Sequence, residues 1–277
     1  KTYYQLRSLM PELPEVQTVV NHIKDDLIGE TIIDLKAIWP KVFHNFKSVD
    51  FFKKNSDAKI LDVNRRAKFI IIQFKHSILA IHLRMTGKLY FNNGKAPKHT
   101  SAKVFFKSKK TLIFQDVRKF GRFYLYRNLN KINERHGPEP LGENFTKNIF
   151  FDILTNCKRN IKALLLDQSK IAGLGNIYAD ESLWLSGIHP NSISNKIPKS
   201  TIYKLHNSIQ YVLNKAIKHN GTTIIDFSYV NGQSGNYANE LNIYGKKGLI
   251  CSKCKTEVVK IKVASRGTYF CRCQKVY

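Results

Sequence analysis

Acidic residues are scarce in this 277-residue chain: 20 Asp and Glu stand against 46 Lys and Arg, a formal net charge of +26. Lys and Arg recur from Lys24 to Lys275, so the imbalance does not come from one basic tail. A polyanion is the natural partner, because each cation held near a phosphate releases a condensed counterion. A generally basic structural protein, such as a ribosomal component, shares this composition, so charge alone leaves both readings open. Long apolar runs are also missing: none reaches the 18 residues of a membrane-spanning helix. Lys1 to Met10 lack the apolar centre of a secretory signal. Cysteine is sparse, and four of the five fall within the last 27 residues. That distribution argues against a disulfide framework spread over a secreted domain and favours a reducing, cytoplasmic setting. Internal repeats and low-complexity tracts are absent.

What is present reads as two modest domains with an appendage, and a hydrophobic fraction of 43% is ordinary for a folded chain. After Pro14, residues Val16, Val19, Val20, Ile23 and Leu27 follow helical spacing, and Gly29 sits where a C-terminal cap belongs. From Thr31 to about Tyr126 the texture changes to short β-type runs, among them 69–72, 78–81, 104–106 and 123–126, with turn signals such as Asn92-Asn93-Gly94. Many short strands in this span predict a sandwich or barrel. The loop 136–142 marks a boundary beyond which helices return. There Ile202, Leu205, Ile209, Val212, Leu213 and Ala216 form one apolar face, with Ser200 as N-cap and Gly221 as terminator.

Cys251-x-x-Cys254 and Cys271-x-Cys273 are separated by 16 residues. Two close pairs at that distance suit one tetrahedral Zn²⁺, with sulfurs about 2.3 Å from the metal. In a segment with so few core residues, the ion would supply most of the folding energy. The second pair is one residue shorter than a usual knuckle, so its turn is tighter, fewer N–H groups point at the sulfurs, and weaker metal affinity is predicted. Cys157 stands apart and reads as a small buried hydrophobe.

Met10-Pro11-Glu12-Leu13-Pro14-Glu15-Val16 is the most informative stretch. On its own it is also a plain helix start, with Pro in the first turn and acids at the positive dipole end. Met85, Arg118 and Phe120, taken singly, read more readily as a core Met, a surface Arg and a core Phe. The order in which the motifs occur gives them another meaning. From Met10 almost to Lys275 the chain resembles the bacterial formamidopyrimidine-DNA glycosylases.

The resemblance implies an α+β fold: an N-terminal β-sandwich with a leading helix, a helical domain with a helix–two-turn–helix, and a β-hairpin zinc finger. It implies excision of oxidised purines (8-oxoguanine, formamidopyrimidines) and strand cleavage by β,δ-elimination. Pro11, as a free secondary amine, would attack C1′ and form a Schiff base, with Glu12 managing protons. An α-amino pKa near 8 leaves such an amine a neutral fraction at physiological pH. Asn64 to Lys68 resembles the segment whose lysine assists elimination, here Lys68. His82 to Gly87 is similar to the loop whose methionine fills the gap left by the everted nucleotide, here Met85. Asp116 to Gly121 is similar to the loop supplying an arginine to the orphaned base and a phenylalanine wedge, here Arg118 and Phe120.

Gly173 to Glu181 resembles the helix–two-turn–helix, where exposed backbone N–H groups bind phosphate and Asn176 adds a contact. No strand–Gly-x-Gly-x-x-Gly–helix unit is present, so a dinucleotide site is disfavoured. His82, His99 and Lys162 are further implied DNA contacts. Residues 232–237, ahead of Tyr244, resemble the loop that closes on the lesion. Ser265 to Cys271 resembles the finger hairpin, whose arginine, here Arg266, grips the phosphates around the lesion and is implied in the catalytic set with Pro11, Glu12 and Lys68. Damaged double-stranded DNA would lie bent in a basic cleft, bound by a monomer, with no redox or nucleotide cofactor.

With residues ahead of it, Pro11 is an amide whose lone pair is delocalised, and no iminium can form. The expected organisation is therefore 1–10 as an extension missing from the working enzyme, 11–135 as the catalytic sandwich, 136–240 as the DNA-binding helices and 241–277 as the zinc finger. Two rivals follow: an endonuclease VIII-like enzyme for oxidised pyrimidines, disfavoured by Leu13-Pro14-Glu15-Val16, and a non-catalytic lesion binder if Pro11 is internal.

Overall fold

The computed structural model describes residues 10–222 and 235–277. They form two compact units, one comprising 10–134 with 220–222 and 235–236, the other 135–219 with 237–277.

The first unit opens with α1 (Leu13–Leu27), whose Val16, Val19, Val20, Ile23 and Leu27 are buried, as their spacing predicts. The helix ends where the Ile28 N–H reaches Lys24 O, and the next residue, Gly29, donates to Ile60 O across the unit. Then come β1 (Ile32–Ala37), α2 (Ser48–Lys54), β2 (Asp62–Arg66), β3 (Phe69–Gln73), β4 (Ile78–His82), β5 (Gly87–Phe91), β6 (Thr100–Phe106), β7 (Thr111–Asp116) and β8 (Arg122–Tyr126). They pair into two four-stranded antiparallel sheets, β1-β6-β7-β5 and β2-β3-β4-β8.

A single apolar cluster joins Leu35, Val104 and Phe114 of one sheet to Val63, Ile72 and Phe123 of the other, with the α1 stripe against it. This is the sandwich core. β3 and β4 read as unbroken apolar runs because both faces are covered. Ile70, Ile72, Leu79 and Ile81 face the core, while Ile71, Ile78 and Ala80 pack with Ile132 of α3 (Asn130–Asn133) on the outside.

The second unit holds α4 (Lys147–Thr155), α5 (Ile161–Leu166), α6 (Asn176–Ser186), α7 (Lys199–Lys218) and the hairpin β9 (Val259–Val263) and β10 (Arg266–Phe270). α6 is buried on nearly every side and packs against α5, α7 and β10. Its two acids, Asp180 and Glu181, are therefore inside and need donors. Glu181 accepts the backbone N–H groups of Asn242, Ile243 and Tyr244. α7 carries the predicted apolar face, but its start differs from the prediction. Pro198, not Ser200, is the N-cap, with no side-chain cap bond. A proline has no N–H to satisfy and its fixed φ suits a helix start, so the helix begins ahead of the serine.

Candidate active site and DNA-contacting loops

The first turn of α1 is set by a local clamp. Glu15 accepts the Glu12 N–H through one oxygen at 2.9 Å. Through the other it accepts the N–H and hydroxyl of Thr222, at 2.8 and 2.9 Å. Glu12, Glu15 and Thr222 are all buried. Lys24 pairs with Asp62 at 2.9 Å and Gln17 bonds Arg65 at 3.0 Å, so α1 runs alongside β2 with its N-terminus toward the β2–β3 turn. Four more residues of helix beyond Gln17 cover about 6 Å, and two or three strand residues beyond Arg65 cover about 7 to 10 Å. The start of α1, with Pro11 and Glu12 ahead of it, is thereby carried to the end of β2 where Ala67 turns at a φ of 52° and Lys68 follows. Lys68 is 9% exposed, and its stem is held within the unit.

Met85 lies in the turn 83–87 between β4 and β5, closed by a Gly87 N–H to Leu83 O bond of 3.0 Å. Met85 is half-buried, beside an exposed Arg84. His82, at the end of β4, is buried against the edge of Phe69 and accepts the Arg84 N–H at 3.0 Å. Arg118 and Phe120 occupy the β7–β8 turn. Both are exposed, and the Arg118 guanidinium sits 5.0 Å from the Phe120 ring centroid. Val117 joins them as an exposed apolar residue. His99 is exposed, in the left-handed region at φ 66°, and its carbonyl receives the Asp116 N–H.

In the second unit the β9–β10 turn is Ala264-Ser265, both at positive φ as a two-residue hairpin turn of this hand demands. Arg266 follows directly and is exposed. Lys162 turns inward. Its ammonium is fully buried, 2.7 Å from the Asp180 carboxylate and 2.6 Å from Thr268 Oγ1. Asp180 also accepts the Tyr269 N–H at 2.9 Å. Burial pushes the Asp180 carboxyl up to about 7, against the opposing pull of Lys162. Asn176 donates to Gly267 O at 3.0 Å and to the Tyr244 hydroxyl at 3.2 Å. Two residues expected to touch DNA therefore converge on the hairpin just past Arg266. The reason is geometric: α6 lies under β10, so side chains from its first turn and from α5 meet the strand before they meet solvent.

Cys251, Cys254, Cys271 and Cys273 bring their sulfurs within 4.8 Å of one another. A tetrahedral tetrathiolate zinc site, with bonds of about 2.3 Å, has sulfur–sulfur edges of about 3.8 Å, so the set fits one ion. The short pair is the tightest, with Cys271 and Cys273 sulfurs 2.8 Å apart, and Cys251 to Cys271 spans 3.3 Å. Outer partners are in place: the Trp184 indole N–H donates to Cys251 sulfur at 3.4 Å, and the Thr256 hydroxyl lies 3.0 Å from Cys254 sulfur. That hydroxyl brings the Cys254 thiol down to about 6, while burial pushes the Cys271 and Cys273 thiols up. Gln274 braces the tight turn, accepting the Cys271 N–H and donating to Ile188 O.

Residues 232–234 of the expected lesion-closing loop lie outside the described residues. Among those described, Gly235 and Asn236 return to Thr222, which bridges Asn236. Sequence reasoning did not single out Glu15, Thr86, Asp116, Asp180 or Thr268. Each lies inside or beside a recognised motif, and the available signal was a polar residue flanking a loop.

Two sheets in a sandwich, led by a buried helix start and joined in one chain to a helical unit with a four-cysteine hairpin, define a class of DNA-processing proteins. The description "Formamidopyrimidine-DNA glycosylase N-terminal domain" matches residues 10–123, and "Formamidopyrimidine-DNA glycosylase H2TH domain" matches 136–228. The chain belongs to the formamidopyrimidine-DNA glycosylase family. It is similar to the formamidopyrimidine-DNA glycosylase of Herpetosiphon aurantiacus, 39% identical over 268 residues, covering 95% of this chain and 98% of that one. It is 40% identical over 270 residues to that of Lactiplantibacillus plantarum, with 95% and 98% covered. Among solved structures it resembles wild-type Lactococcus lactis Fpg (MutM) in complex with N7-benzyl-Fapy-dG DNA, at 39% identity and a TM-score of 0.86, covering 96% of this chain and 100% of that one. A MutM complex with carbocyclic 8-oxo-G DNA gives 40% identity and a TM-score of 0.87, with the same coverage.

Proposed function

We propose that this chain is a bifunctional DNA glycosylase and abasic-site lyase that removes oxidised purines from duplex DNA. The observation that supports this is the buried first turn of α1, where Glu15 fixes the Glu12 N–H, on a helix that runs along β2 toward the turn bearing Lys68. The family relatives add the substrate class, since their complexes hold 8-oxo-G and Fapy-dG DNA.

Chemistry begins on a free Pro11 amine. Its lone pair attacks C1′, the bond to the damaged base breaks, and the base leaves with a proton. The Glu12 carboxyl supplies the proton that opens the sugar at its ring oxygen, giving an iminium between Pro11 and C1′. The iminium acidifies the C2′ proton. Its removal, assisted by Lys68, expels the 3′ phosphate, and a second elimination expels the 5′ phosphate to leave a one-nucleotide gap. Met85, Arg118 and Phe120 hold the space of the everted nucleotide, and Phe120 is exposed as a wedge requires. His82, His99, Asn176 and Arg266 serve the DNA backbone around it. Lys162 acts through the hairpin, fixing the strand that carries Arg266. Cys251, Cys254, Cys271 and Cys273 hold one Zn²⁺, whose contribution is structural. The protein works as a monomer on damaged double-stranded DNA in the cytoplasm.

The reading requires Pro11 to be N-terminal, with residues 1–10 removed or never translated. Borohydride trapping on an 8-oxoguanine duplex tests it, comparing the 277-residue chain with a form beginning at Pro11. Covalent attachment of the Pro11 form alone is expected. If neither form traps while both bind duplex tightly, the protein is a lesion binder without chemistry.

A further inference from the structure

The gap-filling residues come from two separate turns, 83–86 between β4 and β5 and 117–121 between β7 and β8, and one buried carboxylate belongs to both. Asp116, 1% exposed, closes β7 at the base of the second turn. One of its oxygens accepts a hydrogen bond from the hydroxyl of Thr86, the residue after Met85. The same oxygen receives the Arg118 N–H at 3.2 Å, and that N–H also reaches Thr86 Oγ1 at 3.1 Å. The other oxygen receives the Gly121 N–H at 2.7 Å, just past Phe120. Gly87 pairs with Asp116 in the sheet, so the strands beneath are in register. The clasp leaves no room at its far end: a Cβ on Gly121 would lie 2.3 Å from the Phe114 ring and 3.1 Å from the Asp116 oxygen.

We infer that Thr86 and Asp116 form a positioning clasp that makes Met85, Arg118 and Phe120 enter the base stack as one body. This deepens the reading of those three as the gap-filling set and rests on it. A wedge on two independent turns would order each separately at insertion, whereas turns fixed to a common buried anion have met that cost on folding. The Thr86 hydroxyl matters most, since it ties its own turn to the second one twice, donating to the Asp116 carboxylate and accepting the Arg118 N–H.

The test reads insertion rather than chemistry. The full 277-residue chain is mixed with an 8-oxoguanine duplex carrying 2-aminopurine beside the lesion, and the fluorescence rise on unstacking is followed by stopped flow. T86V keeps the shape and removes the hydroxyl; the rise is expected to slow about tenfold, the equivalent of one hydrogen bond of about 1.4 kcal/mol. T86S restores the hydroxyl and is expected within about twofold of wild type by the same measure. If T86V fails to fold, T86A makes the same deletion without the added methyl. A wild-type rate in T86V or T86A, or a loss in T86S equal to theirs, overturns the clasp. No fluorescence rise with the wild-type chain overturns it together with the wedge. A normal rise without borohydride trapping of the Pro11 form removes the catalytic reading alone and leaves the clasp to be judged on its own rates.

Discussion

A lysine with no solvent exposure is costly unless its charge is matched, and Lys162 is matched three ways, by Asp180, Thr268 and the carbonyl of Gly267. The family resemblance implied a DNA contact at Lys162, whereas its ammonium is buried inside the second unit. What hides it is the docking of β10 on α6, a contact more than 80 residues apart in the chain that no local pattern encodes. K162M should leave Asp180 buried and unpaired. Breaking such a pair typically costs 3 to 5 kcal/mol, and protonation of Asp180 relieves part of it, so a loss of about 3 kcal/mol is expected for the second unit. Urea unfolding followed by Trp184 fluorescence measures this. K162M/D180N, which removes the buried charge as well, is expected to recover about half of the loss. An unaltered midpoint in K162M would mean the pair contributes nothing.

Among the elements, those with strong local periodicity were legible. α1 and the apolar face of α7 follow from spacing, and the short runs 69–72, 78–81, 104–106 and 123–126 are strands as read. Ser200 misled because a good capping residue was present but Pro198 stood ahead of it. The Thr86–Asp116 clasp and the Glu15–Thr222 bond were illegible for a different reason: each is a polar contact across a sequence gap, and residue type alone does not name the partner. The four cysteines were legible from spacing, and their sulfurs do meet. The shortened pair sets an expectation at this scale. A chelator should melt the hairpin and lower duplex affinity at concentrations that leave a four-residue knuckle intact. Inserting one residue between Cys271 and Cys273 should raise zinc affinity by at least about tenfold, roughly one hydrogen bond to sulfur regained. Competition with a zinc-sensing dye distinguishes the two; equal affinities would show that the brace from Gln274 already compensates.

For the whole molecule, the charge of +26 is the feature most visible from a distance. Binding that neutralises about six phosphates should lose about three orders of magnitude in affinity between 50 and 200 mM salt. Fluorescence anisotropy on undamaged and 8-oxoguanine duplexes measures the slope. A flat response would exclude a phosphate-dominated interface. Parallel slopes for the two duplexes, offset by a constant, are expected if the lesion adds no phosphate contact of its own.

Thr222 and Asn236 bridge each other, Glu15 holds Thr222, and a Cβ on Gly235 would lie 2.3 Å from Gly221 O. Glu15 therefore ties the first turn of α1 to Thr222, 207 residues further along the chain, and the carboxylate that fixes the Glu12 N–H cannot shift without disturbing Thr222 as well.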